Sequence, residues 1–431
     1  MTPNIKQRIE QIKNSETPNG YIFTDVGILP NDWGYAKLSD ISEQITQTAG
    51  TEKYETVSIS AGIGFVNQAK KFGKELSGKQ YAKYTVLHKG DFSYNKGNSK
   101  KYPQGCVYRL KDRETAAVPN VFESFRITTG CAEYYDQLFI SGYLNHQLYR
   151  LINHGVRDDG LLNLTHKDFY SCLLPVPPLS EQEKIAKILS AQDKVIECYE
   201  KKIEQLKRMK KYYLQNMFPK HGETVPKIRF KGFTDPWEQQ KICDYCDMFN
   251  GDRSAKYPNT QDMVSEGIPF INAGDLVDGH VNLVTANRIS RAKYDDLSGA
   301  KLQIGDIVYC LRGTLGKNAY IDSINEGTIA SSLVSIRPKD IDGRFLFHVL
   351  NSDIEYRQRI ICNEGAAQPN LSAKSVSEFM IPVPDLEEQK MFSSFLDNLS
   401  ILITLYQRKL EEERKKIKAL QQLLLTGIVR L

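Results

Sequence analysis

The chain repeats itself at a long period, and that constrains its fold more than any other feature. Leu174-Pro175-Val176-Pro177-Pro178-Leu179-Ser180-Glu181-Gln182 returns as Met380-Ile381-Pro382-Val383-Pro384-Asp385-Leu386-Glu387-Glu388-Gln389, with Pro175 and Pro382 207 residues apart. Asn163-Leu164-Thr165 matches Asn370-Leu371-Ser372 at the same offset. Trp33, Leu38 and Asp40 match Trp237, Ile242 and Asp244 at 204, and Lys89-Gly90-Asp91 resembles Ile304-Gly305-Asp306 at 215. A drifting offset means loops of unequal length on a shared frame. A period near 200 means a duplicated domain, because solenoid repeats are far shorter.

Each proline-rich stop is followed by a helix of unusual length. Ser180 is a plausible N-cap, with acids in the first turn. No Pro or Gly interrupts 180–218 or 386–426. Leu189, Ile196, Ile203, Lys210 and Met217 form one heptad line; Ile185, Gln192, Tyr199, Leu206 and Tyr213 form a second. Shifted by 207, they become Leu396, Ile403, Leu410, Ile417, Leu424 and Phe392, Leu399, Tyr406, Glu413, Leu420. Lys210, Gln192 and Glu413 are polar exceptions of the kind that fix coiled-coil register. Helices of about 57 Å with such charged outer faces are expected to pair with each other or with a partner. Lys207, Arg208, Lys211, Arg414 and Lys415 are the candidate partner-binding residues.

The segments between read as mixed α/β. Strands are expected at 56–60, 84–87, 105–110, 308–311 and 332–336, and single helices at 136–153 and 343–362. The expected division is 1–32, an N-terminal segment; 33–178, a first domain; 179–218, the first long helix; 219–236, a linker; 237–384, a second domain; and 385–431, the second long helix with its tail.

Charge is unevenly placed. The net +5 conceals a segment, 67–113, with twelve basic and three acidic residues, the footprint of a polyanion-binding surface. Chemistry is hard to find. Gly313-Thr314-Leu315-Gly316-Lys317 lacks the spacing of a phosphate-binding loop, no glycine-rich cofactor loop is present, and the Asn/Asp-Pro-Pro-aromatic motif of amino-methyltransferases is missing. Cys243 and Cys246 form a lone pair opposite Ser39 and Ser42, which argues against zinc. The polar N-terminus and the sparse cysteines lead us to expect a cytoplasmic protein with no membrane span.

Taken together and in order, these motifs resemble the specificity (S) subunit of type I restriction–modification systems. The carrying residues are Pro30-Asn31-Asp32-Trp33, Asn163-Leu164, Pro175-Val176-Pro177-Pro178 with Glu181-Gln182, and Pro226-Lys227-Ile228-Arg229-Phe230-Lys231-Gly232-Phe233; the second copy ends in Thr426-Gly427-Ile428-Val429-Arg430-Leu431. The resemblance implies two target-recognition domains of similar fold, separated by two long antiparallel coiled-coil helices and related by a pseudo-twofold internal repeat. It implies a non-catalytic subunit that reads a bipartite, non-palindromic sequence in double-stranded DNA. Two methyltransferase (M) subunits would dock on it, and restriction (R) subunits join through the complex. It binds no cofactor in that reading; S-adenosylmethionine, ATP and magnesium belong to the partner subunits. The alternative is a coiled-coil adaptor that binds nucleic acid without sequence choice.

Candidate DNA contacts follow each Gly-Asp lead-in, where Gly admits a phosphate and Asn or Arg can read a base edge. In the first domain they are Tyr94, Asn95, Lys96, Asn98, Ser99, Lys100 and Lys101, with Lys70 and Lys71 nearby. In the second they are Arg312, Thr314, Lys317 and Asn318, with Arg253, Lys256, Asn272 and Asp275 in loops that the first domain does not reproduce.

Overall fold

A computed structural model describes residues 3–74, 77–97, 101–152, 161–363 and 370–431. The chain is mixed α/β and divides into two compact units, residues 1–200 with 408–431, and residues 201–407. Candidates Asn98, Ser99 and Lys100 lie outside the described residues.

Each unit is built on a four-stranded antiparallel sheet of one topology. In the first the order is Ser42–Gln44, Glu123–Ile127, Phe92–Asn95, Cys106–Arg109. In the second it is Cys246–Asn250, Leu333–Pro338, Ile307–Cys310, Asn318–Tyr320. In chain order both read first, fourth, second, third. Phe92 and Phe125 lie opposite one another in the first sheet, as Ile307 and Ile336 do in the second, and all four are buried.

The repeated motifs are the joints of this frame. Gly90 and Gly305 sit at φ +101° and +98°, a conformation that other residues enter only at a cost. They turn the chain so that Asp91 and Asp306 point inward. Asp91 accepts two hydrogen bonds from Arg126, at 2.7 and 3.0 Å. Asp306 accepts two from Arg337, at 2.8 and 2.9 Å. Asp40 and Asp244 each accept a backbone N–H three residues earlier, from Lys37 and Lys241. The proline strands Leu173–Val176 and Met380–Val383 pair with Gly34–Lys37 and Glu238–Lys241. These are two-stranded ribbons, where a missing proline N–H is tolerated.

The Glu-Gln pair opening each long helix has two duties. Gln182 accepts from the backbone N–H of Cys131 and donates to the Pro177 carbonyl, both at 2.8 Å. Gln389 does the same with Asp342 and Pro384, again at 2.8 Å. Each glutamine thus ties the helix start to the loop before a second helix. Glu181 accepts from the Trp33 indole at 3.0 Å, and Glu388 from the Trp237 indole at 3.1 Å.

The long helices are Leu179–Asn216 and Leu386–Leu424, of 38 and 39 residues. They run antiparallel, as their contacts within each unit show. In the first unit Gln192 bonds Glu413 and Arg414 bonds Glu200. In the second, Tyr213 meets Phe395 edge-on and Phe218 packs on Phe392. Ile185, Leu189, Ile417 and Leu424 are buried in the core of the first unit and Leu206, Leu396, Leu399 and Ile403 in that of the second, while Ile196 and Leu420 are half-buried against the first.

Two sequence expectations need correction. The helices expected at 136–153 and 343–362 are each two helices: Ala132–Ile140 with Asn145–Leu151, and Gly343–Val349 with Asp353–Asn363. Gly142, at φ +80°, breaks the first. In the second, the Ser352 hydroxyl caps a fresh start by accepting from the Ile354 N–H. Local caps outweighed the continuing apolar periodicity.

Candidate nucleic-acid interface

In the first unit a hairpin, Val57–Ser60 with Gly64–Asn67, is inserted between the first two sheet strands and leads into the short helix Gln68–Phe72. Lys70 and Lys71 stand exposed on that helix, and Lys71 lies over the Phe72 ring. The loop after Phe92–Asn95 reaches the hairpin: the Asn95 amide donates to the Ile59 carbonyl at 3.3 Å. The Asn95 side-chain oxygen accepts from the Gly97 N–H at 2.8 Å, which shapes the turn. Lys101 is exposed and lies over Tyr102. Asn95, Lys101 and the hairpin therefore share one region, with Lys70 and Lys71 on the helix that leaves it.

Two candidates in this domain are placed against direct DNA contact. Tyr94 is fully buried, stacked on Phe169 with ring centroids 4.6 Å apart, and its hydroxyl donates to the Gln104 carbonyl. Alternation on the strand turns it into the core, and burial pushes its phenol far up. Lys96 is mostly buried and paired with Glu123 at 2.5 Å; Glu123 also bonds His166 at 2.9 Å. Burial raises the Glu123 carboxyl, but bonds from Lys96 and His166 more than offset this, and its pKa is lowered. The positive charge of Lys96 is spent inside the domain.

The second unit places its candidates in two groups. Around the loop after Ile307–Cys310, the Lys317 ammonium donates to the Ala273 carbonyl at 3.0 Å. That joins this loop to the turn holding Asn272 and Asp275. Arg312 is exposed and bonds Asn370 at 3.3 Å; Thr314 is exposed. Arg253 and Lys256 form the other group: Arg253 donates to the Ser331 carbonyl and Lys256 pairs with Asp296. Their turn is organised by Asp252, which accepts from the Ser254 N–H and from both Ser298 donors, and its carboxyl is held far below the usual range.

Asp275 and Asn318 are buried and structural. Asp275 accepts from the Asn272 N–H and the Thr285 hydroxyl. Asn318 donates to the Gly316 carbonyl. Both were expected to meet DNA; the polar groups of Asp275 are consumed in shaping the connection from Asn272 to Thr285, and those of Asn318 in the turn that carries Lys317. Sequence reading also missed the arginine anchors of the two buried glutamates. Arg229 bonds Glu388 and Arg430 bonds Glu181, each through two contacts of 2.8 Å. The recurrence of Ile228-Arg229-Phe230 as Val429-Arg430-Leu431 was the available signal.

Lys207, Arg208 and Lys211 are exposed on the first long helix, with Arg208 paired to Glu204. Arg414 and Lys415 are exposed on the second, with Arg414 paired to Glu200 and Glu411. Cys243 is exposed, whereas Cys246 faces the core and burial pushes its thiol up to about 12. Among the described residues no helix is long and apolar enough to cross a membrane.

Two stretches, residues 12–208 and 234–413, match the model of the type I restriction modification DNA specificity domain. The chain belongs to the type I restriction–modification specificity subunits. It is 28% identical over 281 residues to the type I restriction enzyme MjaVIII specificity subunit of Methanocaldococcus jannaschii, spanning 63% of this chain and 65% of that protein. A second protein of that organism, assigned as the MjaX specificity subunit, is 25% identical over 94% of this chain and 96% of its own. Among solved structures, the type I S subunit of M. genitalium has a TM-score of 0.56 at 16% identity, covering 91% of this chain and 96% of that one. A chain from a study of complex assembly and conformational transition of the type I R-M system has 0.54 at 17%, covering 93% and 99%. Both share the fold. The matched stretches take in both domains and most of both long helices.

Proposed function

We propose that this S subunit reads a bipartite, non-palindromic DNA target, one half-site per domain, and takes no part in catalysis itself. One observation carries the reading. The residues that repeat between the halves (Trp33 and Trp237, Glu181 and Glu388, Asp91 and Asp306) all build the frame, whereas the exposed loops on that frame differ. Equal frames with unequal loops suit two different half-sites.

The long helices serve as the docking ground for two M subunits, one per repeat, through which R subunits join. Exposed charge at Lys207, Arg208, Lys211, Arg414 and Lys415 supports this, as do the exposed Ile188 and Val195, seven residues apart on the first helix. S-adenosylmethionine, ATP and magnesium belong to those partners, and the work is done in the cytoplasm, where the DNA is. Sequencing the modified bases of a host that carries this chain with its M subunit tests the reading. The expected result is one motif of two unlike halves with a fixed gap. Exchange of residues 237–382 for another such domain should alter one half only. A complex that bound random duplexes equally well would overturn the proposal.

A further inference from the structure

In both units the most exposed aliphatic side chain among the described residues sits in the same connection of the fold. Ile63 is 75% exposed and Val284 is 95% exposed. Ile63 lies in the three-residue turn between Val57–Ser60 and Gly64–Asn67. Val284 lies in the fifteen-residue connection between Met263–Ile271 and Asn287–Ile289. These strand pairs are counterparts. Each is antiparallel, and on its other side the first strand bridges in parallel to the segment before the fourth sheet strand, through Thr56 and Ala117 or through Phe270 and Thr328. Each second strand then enters a short helix capped by a side chain, Asn67 or Ser290.

Both connections are held in place while the aliphatic group stays in water. The Gly62 N–H donates to the Tyr108 hydroxyl at 2.8 Å and the Ile63 N–H to the Ser60 carbonyl at 2.9 Å. Gly62 and Gly64, at φ +82° and +103°, make the turn. The Val284 N–H donates to the Asn282 side chain at 3.1 Å, and the neighbouring Thr285 hydroxyl to Asp275 at 2.9 Å. A single exposed aliphatic residue is ordinary. Two unrelated sequences of different length that bring one to the same connection of a duplicated fold are not. Cations accompany both: Lys70 and Lys71 follow the first, and Lys317 and Arg288 bond carbonyls of the second, Ala273 and Leu283.

We propose that Ile63 and Val284 are base-reading contacts, each packing on the C5-methyl group of a thymine in the major groove of its own half-site. The methyl group is the apolar feature of that groove. A β-branched side chain, stiff at χ1, loses little freedom on meeting it. The inference rests on the DNA-reading function proposed above.

The test uses the full chain purified with its M subunit and the target found by sequencing modified bases. Each thymine of that duplex is replaced in turn by deoxyuridine, which removes only the methyl group. Wild type should lose about four-fold in affinity at one thymine in each half-site, the effect of one apolar carbon. Ile63→Ser should abolish the difference between thymine and uracil in one half-site and keep it in the other, with Val284→Ser doing the converse. Ile63→Val and Val284→Ile should keep both. If wild type prefers its target over a scrambled duplex but no uracil effect depends on Ile63 or Val284, this inference falls and the DNA-reading function stands. If wild type binds both duplexes equally, both fall.

Discussion

Arg430, next to the last residue of the chain, grips Glu181 from 249 positions away with two hydrogen bonds of 2.8 Å, and its other edge holds Asp32. Arg229 makes the same grip on Glu388, also at 2.8 Å twice. Each arginine comes soon after a long helix, and each locks the carboxylate beside the domain's tryptophan. The short segment that follows each helix is therefore a closing piece of a unit. Removing one partner leaves a buried carboxylate unpaired, which in such settings costs about 3–5 kcal/mol. Arg229→Ala should approach that figure in denaturant unfolding of the second unit. Arg430→Ala, at a more exposed arginine, should cost about 1–3 kcal/mol. Lysine at either position should restore little, since it offers no planar fork.

The same clasp sets a pH dependence. Burial raises the Glu181 carboxyl, but Arg430, the Trp33 indole and the Leu431 N–H outweigh it, and the pKa is lowered. Asp32 is lowered chiefly by its bonds from Arg430. Groups depressed on folding stabilise the fold above their unfolded pKa, about 4 for carboxylates, and that stability fades as pH falls through the folded value. The stability difference between wild type and Arg430→Ala should be fully present at pH 7 and shrink steadily below about pH 4. A difference that stayed constant into acid would show that packing, not charge, holds the C-terminus.

Much of this frame was legible in the sequence and part of it was not, for identifiable reasons. The repeat, the long helices and the buried heptad positions could be read because each depends on spacing alone, as with Leu189 and Leu396. The polar seam residues also fit: Gln192 meets Glu413, and Lys210 faces Asp397. The DNA candidates fared differently because exposure and pairing are tertiary facts. Lys96 read as a DNA contact because Glu123 is distant in sequence, and Tyr94 because alternation alone does not say which face is buried. Ile63 drew no notice because it is apolar and lies just before the charged segment, 67–113.

Lys210 gives a prediction about register. Burial lowers its pKa and Asp397 opposes that shift; Asp397 also keeps His348, at 2.9 Å, and Arg344. Lys210→Met would leave Asp397 still partnered while removing a desolvated charge. Thermal unfolding should therefore show no loss, or a gain of up to about 1 kcal/mol. Asp397→Leu, by contrast, would leave the lysine and the buried histidine without their acceptor and should destabilise by about 2 kcal/mol or more.

The candidate cations of the first domain separate into two kinds that one experiment tells apart. Lys70, Lys71 and Lys101 are exposed, and among the described residues no ion pair involves them. If they meet phosphates, each releases counterions on binding. Replacing all three by alanine should lower the slope of log affinity against log salt by up to about 0.9 per contact, for specific and random duplexes alike. Lys96→Ala should behave otherwise. Its charge is already neutralised by Glu123, so the salt slope should stay as in wild type while the domain loses about 1–3 kcal/mol from a buried carboxylate left with His166 alone. Binding titrations between 50 and 200 mM salt, with unfolding curves on the same proteins, decide the matter. A slope that fell with Lys96→Ala and held with the triple variant would move the phosphate contact to Lys96 and strip the helix Gln68–Phe72 of its part in binding.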